Sequence, residues 1–375
     1  MDAITLTQTL VRIDSCNPPG RELPVFKVLV PALEAAGLHI ESVALTPERI
    51  NLIASWSGTD PDLEPLVLTG HLDTVPVGDQ PWARDAFSGE IWDGRLHGRG
   101  AADMKAGVAA MIEGAIARIR TRSPLRRGIV LILTVGEETG CLGARAVIGS
   151  DLAPPKASAV LVAEPTGNRL ARGHKGILCL RAKYRGVSAH SSMPERGQNA
   201  IYRAARVIGA LEATDLNSFG RDPLLGVHTL NVGLFHGGRN YNSVPDAAEF
   251  TVDLRTNGLV SHDVLADRIR AILGDDAEVQ REIDLQAVAT PVTEPFLQVV
   301  TDLGRDRWGP AFAEERPAVP FFTDAAELQP FWRCPVAIVG PGEPQQAHRT
   351  DEWCDVDSIR ESAQWYAAVI DAWCS

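Results

Sequence analysis

The chain has 375 residues, more than one ordinary domain but too few for three. Hydrophobic residues make up 45% and charged residues 22%, as in a globular protein with a sizeable core, and 36 Lys plus Arg against 48 Asp plus Glu leave a formal net charge of −12. An acidic chain without a basic run argues against nucleic acid or membrane as partner, and no apolar run approaches the ~20 residues of a bilayer-spanning helix.

In chain order, Ile4, Leu6, Leu10, Val11 and Ile13 fall at near-helical spacing and predict a helix over 4–13, stopped by Asn17-Pro18-Pro19-Gly20. A second helix is expected over 24–36, ending at Gly37, and 43–45 and 52–56 read as strands. The stretch Leu66-Val67-Leu68-Thr69-Gly70 reads as a buried strand of a parallel sheet, which delivers His71 and Asp73 just past its carboxyl end. Ile91-Trp92, Asp93-Gly94 and Arg95-Leu96 predict a hairpin with a two-residue turn. A helix opens after Asp103 and runs to about Arg120, with Met104, Val108, Met111, Ile112, Ala115 and Ile119 on one face. A buried strand over 129–135, a helix over 142–148 and a buried strand over 159–163 follow. Such alternation implies an α/β fold, a mostly parallel sheet covered by helices.

Near residue 173 the pattern changes. A half-exposed strand over 177–184, a helix over 198–213, strands over 228–235 and 247–255, a helix over 261–273 and a strand over 277–284 give the order β-α-β-β-α-β, the split βαβ, ferredoxin-like unit. The first pattern returns with a helix over 295–307, a short run at Phe321-Phe322, a strand over 336–339 and a helix over 357–373. We therefore expect a catalytic domain in two pieces, 1–172 and 288–375, with an inserted α+β domain over 173–287. The six cysteines (16, 141, 179, 334, 354 and 374) contain no Cys-x-x-Cys pair, so neither a disulfide framework nor a thiolate zinc site is expected. The start Met1-Asp2-Ala3-Ile4 lacks a signal-peptide pattern, and a cytoplasmic location is expected.

Several strands end in candidate ligands. After the first comes His71, and two residues on Asp73, a carboxylate placed to hold the other ring nitrogen. Asp103 opens a helix, where an ordinary N-cap is the plainer reading. Glu137 and Glu138 follow the strand from Ile129, and adjacent buried glutamates are costly unless paired or on a metal. Glu164 ends the strand from Ala159, and His348 lies beyond the last strand. Two borderline divalent cations fit this inventory: His71 and Glu164 on one, Glu138 and His348 on the other, Asp103 bridging. Glu137 then stays unligated beside the water as general base. His39, His97, His228 and His262 carry no partner pattern and read as structural, while His174 and His236 leave a substrate contact open.

At these residues the chain resembles the acetylornithine deacetylase, succinyl-diaminopimelate desuccinylase, aminoacylase and carboxypeptidase G2 group of co-catalytic metallohydrolases. The matching stretches are Gly-His-Leu-Asp-Thr-Val-Pro (70–76), Gly-Arg-Gly-Ala-Ala-Asp-Met-Lys (98–105), Glu-Glu-Thr (137–139), Glu-Pro-Thr (164–166), Gly-Val-Ser-Ala-His-Ser-Ser (186–192), Asn-Ser-Val-Pro (242–245), Asp-Leu-Arg (253–255), Gly-Pro-Gly (340–342) and Ala-His (347–348). The resemblance implies His71, Asp103, Glu138, Glu164 and His348 as metal ligands and Glu137 as base, with Asp73 orienting the first histidine. It further implies a cis peptide at Asp103–Met104, an oxyanion role for His190 reaching the partner subunit's site, and substrate contacts from Asn242 and Arg255, whose fork suits a carboxylate. Two divalent cations are implied, zinc first with cobalt or manganese as alternatives, and a homodimer through the inserted domain, which also acts as a lid.

The expected reaction is hydrolysis of the amide of an N-acyl amino acid or small peptide, acetylornithine deacetylase-like. Desuccinylase comes next, then dipeptidase or glutamate carboxypeptidase. A non-catalytic binding relative is the rival from another class. Two departures from the family pattern, Ala-His-Arg-Thr-Asp-Glu (347–352) without the usual proline and Thr-Asp-Ala (323–325) without preceding glycines, bear on specificity more than on metal binding.

Overall fold

Strands Leu66–His71 and Ile129–Thr134 are buried along their whole length, because apolar side chains stand on both faces of each. In the computed structural model, which describes residues 2–315 and 317–375, they form the middle of a six-stranded sheet. Across that sheet the order is His39–Thr46, Arg49–Trp56, Ile129–Thr134, Leu66–His71, Ala159–Val162 and Val336–Ile338. The last four are mutually parallel, and the first two form an antiparallel hairpin on one edge. Parallel strands bring their carboxyl ends to one edge, so residues far apart in sequence emerge side by side.

Helices Ala3–Val11, Ala106–Arg120 and Val356–Cys374 pack together and share one hydrophobic core with the sheet. Helix Ala106–Arg120 lies so close to the strand end that a Cβ on Gly107 would sit 2.0 Å from the carbonyl oxygen of Ala163, the residue before Glu164. This helix starts two residues later than its periodicity predicts. Asp103 (φ −119°, ψ 96°) and Met104 (φ −131°, ψ 29°) are non-helical, and the peptide between them is cis. The side chain of Asp103 is thereby free of a capping role.

The chain forms two compact units: the described residues of Met1–Gly173, Ala289–Val319 and Thr323–Ser375 make the first, His174–Val288 with Pro320–Phe322 the second. The second unit carries a four-stranded antiparallel sheet ordered Thr229–Gly237, Ala247–Thr256, Gly176–Arg185 and Ala277–Leu285. Helices Ala200–Glu212 and His262–Leu273 pack with it around a separate core of Leu178, Leu180, Phe250, Val252, Leu254 and Ile269 among others. Its elements follow the order β-α-β-β-α-β. The edge strand Thr229–Gly237 leaves Leu234 and Phe235 exposed.

Among the elements that escape the sequence pattern are one helix and one strand. Helix Ala325–Trp332 carries a proline inside, and strand Trp353–Asp355 is three residues long and pairs with Arg95–His97, some 250 positions away. Neither is long enough to show a period. Among the described residues no helix is long and apolar enough to cross a membrane.

Candidate active site

His71 is the last residue of its strand, and its ring is 1% exposed. Nδ1 lies 2.9 Å from the backbone carbonyl of Asp73, which can only accept, so the neutral ring keeps its proton there and turns the Nε2 lone pair outward. Nε2 is 3.1 Å from Asp103 Oδ1 and 3.7 Å from Glu164 Oε1. On the other side of Asp103, His348 Nε2 lies 3.5 Å from Oδ2 and 3.2 Å from Glu138 Oε2. Donors held about 2.0–2.2 Å from one tetrahedral ion stand roughly 3.2–3.6 Å apart, so both sets have ligand spacing. Asp103 offers one oxygen to each. Among the described residues, donor atoms of His71, Asp103 and Glu138 lie within 4.8 Å of one another, as do those of His71, Glu137 and Glu164.

The electrostatics ask for cations. Burial pushes the carboxyl of Glu137 well above its ordinary range, helped by repulsion from Glu164, Glu138 and Asp324. Burial raises Glu164 well above its ordinary range too, with Asp103 adding to it, and raises Glu138. Asp103 moves the opposite way: burial opposes its ionisation, but hydrogen bonds from His348 and His71 outweigh that and hold it low. His348 rises to about 10 through its hydrogen bonds to Asp103 and Glu138. For His71 burial disfavours the charge, yet Asp103, Glu164 and Glu137 overcome it and raise its pKa well above the usual value. Four carboxylates crowd around two imidazoles, and the buried Glu138 Oε1 has no hydrogen-bond partner among the described residues. A buried excess of negative charge with an orphaned oxygen suits divalent cations, and the mixed nitrogen and oxygen donor set suits borderline ones.

The carboxylate of Asp73 does something the sequence did not reveal. The nearer of its oxygens is 3.8 Å from His71 Nδ1, beyond hydrogen-bond range, so the backbone carbonyl rather than the carboxylate meets that imidazole. Its Oδ1 accepts from the N–H of Gly136 (2.9 Å) and Glu137 (3.2 Å), its Oδ2 from Glu138 N–H (3.3 Å) and Asn17 Nδ2 (2.8 Å). Asp73 therefore clamps the turn that carries both glutamates. Two further buried acids border the site. Glu352 accepts from the backbone around Asp103. Asp324, pushed up to about 6 by burial, accepts from the Thr134 hydroxyl and keeps a buried oxygen without a hydrogen-bond partner among the described residues. Their sequence signal was position: both fall in short motifs between the helices expected over 295–307 and 357–373.

His190, Asn242 and Arg255 belong to the second unit. The first two are exposed neighbours there, since His190 bridges Ser243 and Ser191 N–H donates to the Asn242 carbonyl. His190 Nδ1 lies 2.8 Å from Ser192 Oγ. Arg255 is already engaged: Nε and Nη2 donate to the two carboxylate oxygens of Asp253 at 2.9 and 3.0 Å, and the guanidinium carbon stands 5.7 Å from the Phe322 ring centroid. His174 is fully buried, and His262 is held by Thr256 and Asp284.

Known proteins resemble this chain in sequence and in fold. The chain is 30% identical over 356 residues to the acetylornithine deacetylase of Edwardsiella ictaluri, covering 91% of this chain and 88% of that one. It is 30% identical over 369 residues to that of Myxococcus xanthus, with coverage of 95% and 93%. A solved tripeptidase from Staphylococcus aureus superposes with a TM-score of 0.76 at 25% identity, covering 99% of this chain and 97% of that one. The model of peptidase family M20/M25/M40 matches residues 67–372, and the chain belongs to that family.

Proposed function

We propose that this protein is a two-metal hydrolase that cleaves the amide of an N-acyl amino acid, with N-acetylornithine-like substrates first. The observation that carries the reading is the division of Asp103: one oxygen faces His71 beside Glu164, the other faces His348 beside Glu138. These five residues hold the cations, zinc first. Bound there, two divalent ions acidify water towards neutrality and polarise a carbonyl oxygen. Glu137, buried and raised in pKa, takes the proton from the attacking water and returns it to the leaving amine. Asp73 keeps Glu137 aimed through the backbone. His190 steadies the carbonyl oxygen, delivered from the second copy of a homodimer that pairs through the inserted unit. Arg255 and Asn242 hold the substrate carboxylate, which requires Arg255 to exchange or share Asp253. Two curated relatives named acetylornithine deacetylase support the acyl amino acid over a peptide.

The test is a panel of N-acetyl and N-succinyl amino acids, dipeptides and tripeptides, assayed with zinc- or cobalt-reconstituted protein and Glu137→Ala as control. Fastest release of free amine from N-acetyl amino acids is expected. Preference for succinyl substrates or for peptides replaces the deacetylase reading with desuccinylase or peptidase. No turnover of any member by the metal-loaded dimer leaves a binding relative.

A further inference from the structure

His71 and Glu164 are spaced by the sheet, one ending a strand and the other two residues beyond one. His348 has no such support. It lies outside any strand or helix, its side chain is 55% exposed, and its backbone is left-handed (φ +62°). Something else must set its distance from Asp103, and Glu352, one helical turn's worth of residues further on, is placed to do so.

The Glu352 side chain is wholly buried. Its Oε1 accepts from the N–H of Ala102 (2.7 Å) and of Asp103 itself (3.0 Å). Its Oε2 accepts from Gly100 N–H (3.0 Å) and Arg99 Nη1 (2.6 Å). Its own carbonyl accepts Gly98 N–H at 2.9 Å. One residue on the His348 loop thus binds five of the six residues 98–103 that lead to the shared carboxylate. Charge-assisted bonds to backbone N–H groups are short and directional, so they fix position better than apolar packing does. The backbones also stack closely: a Cβ on Gly342 would lie 2.3 Å from the Ala102 carbonyl oxygen.

We propose that Glu352 is a positioning residue that locks the His348 loop onto the Asp103 loop, and that it governs occupancy of the Glu138–His348 cation site far more than that of the His71–Glu164 site. The inference rests on the two-metal reading above. Removing the carboxylate releases the loop bearing His348, while the sheet still holds His71 and Glu164. The shared Asp103 stays tethered through His71, so the first cation keeps its donors.

The experiment uses full-length protein stripped with chelator and titrated with Zn²⁺ by calorimetry, with bound zinc counted by elemental analysis. Wild type takes two ions. Glu352→Gln, which keeps the shape and loses the charge, should bind one ion within about threefold of wild type and the second at least tenfold more weakly. Glu352→Ala should show the same split more strongly. Two ions bound by Glu352→Gln at wild-type affinity would overturn the proposal. So would equal weakening of both ions, or failure of both variants to fold, since either outcome makes Glu352 a general structural strut. If wild type itself binds no pair of ions, the two-metal reading fails instead.

Discussion

The carboxylate of Asp73 accepts the backbone N–H of Glu137 at 3.2 Å, so the acid nearest the first histidine in sequence holds the backbone of the proposed base. The same side chain collects Gly136 and Glu138, the residues on either side. Asp73→Ala should lower turnover roughly 10–100-fold, the usual cost of losing a residue that orients ligands. Amide hydrogen exchange at 136–138 should quicken in the same variant. Unchanged protection there would mean that Asp73 acts through His71 instead.

Glu137→Gln should take up metal like wild type and lose about 10²–10⁴ in kcat, the usual contribution of a general base. The close grouping of Glu137 with His71 and Glu164 gives this prediction its edge. A variant that loses one bound ion would show Glu137 to be a ligand.

His174, in the second unit, offers a stability test. Its Nδ1 donates to the Lys175 carbonyl, Nε2 is buried without a hydrogen-bond partner among the described residues, and burial lowers the pKa to about 4. The unfolded imidazole titrates near 6.5, so between that value and about 4 the unfolded chain binds a proton that the folded chain refuses. Stability from this residue is complete above pH 6.5 and lost as the pH falls towards 4, by up to about 3 kcal/mol. Thermal unfolding followed from pH 7 to 4.5 should fall less steeply in His174→Leu than in wild type. Parallel curves would refute the assignment.

The glycines Gly107 and Gly209 should respond in opposite directions. Gly107 faces the Ala163 carbonyl at a distance no Cβ tolerates, so Gly107→Val should cost about 1–3 kcal/mol or more and lower the melting temperature. Gly209 lies in a helix with open space around it, and Gly209→Ala should stabilise by about 0.5–1 kcal/mol. Equal melting temperatures for the two variants would contradict the packing described.

Much of the site was legible because buried parallel strands announce themselves as short apolar runs, and their ends mark where chemistry gathers. His71, Glu137, Glu138 and Glu164 could be singled out on that ground, before any likeness was considered. Asp103 was harder, since a carboxylate at a helix start is more often a cap; the non-helical turn at 103–104 is what turns it inward. Arg255 was legible as a carboxylate-binding type, but its pairing with Asp253 two residues away on the same strand face was not anticipated.

By itself the sequence determined the order of the longer strands and helices, the inserted β-α-β-β-α-β unit, and which residue types stand at the strand ends. Local periodicity and residue chemistry carry that information without any long-range contact. Only the tertiary structure decided that Asp73 serves the glutamate turn and that Glu352 gathers the N–H groups around Asp103. Those hydrogen bonds join positions from about sixty to about two hundred and fifty residues apart. No period in the chain encodes them, because they exist only once the sheet has brought its ends together.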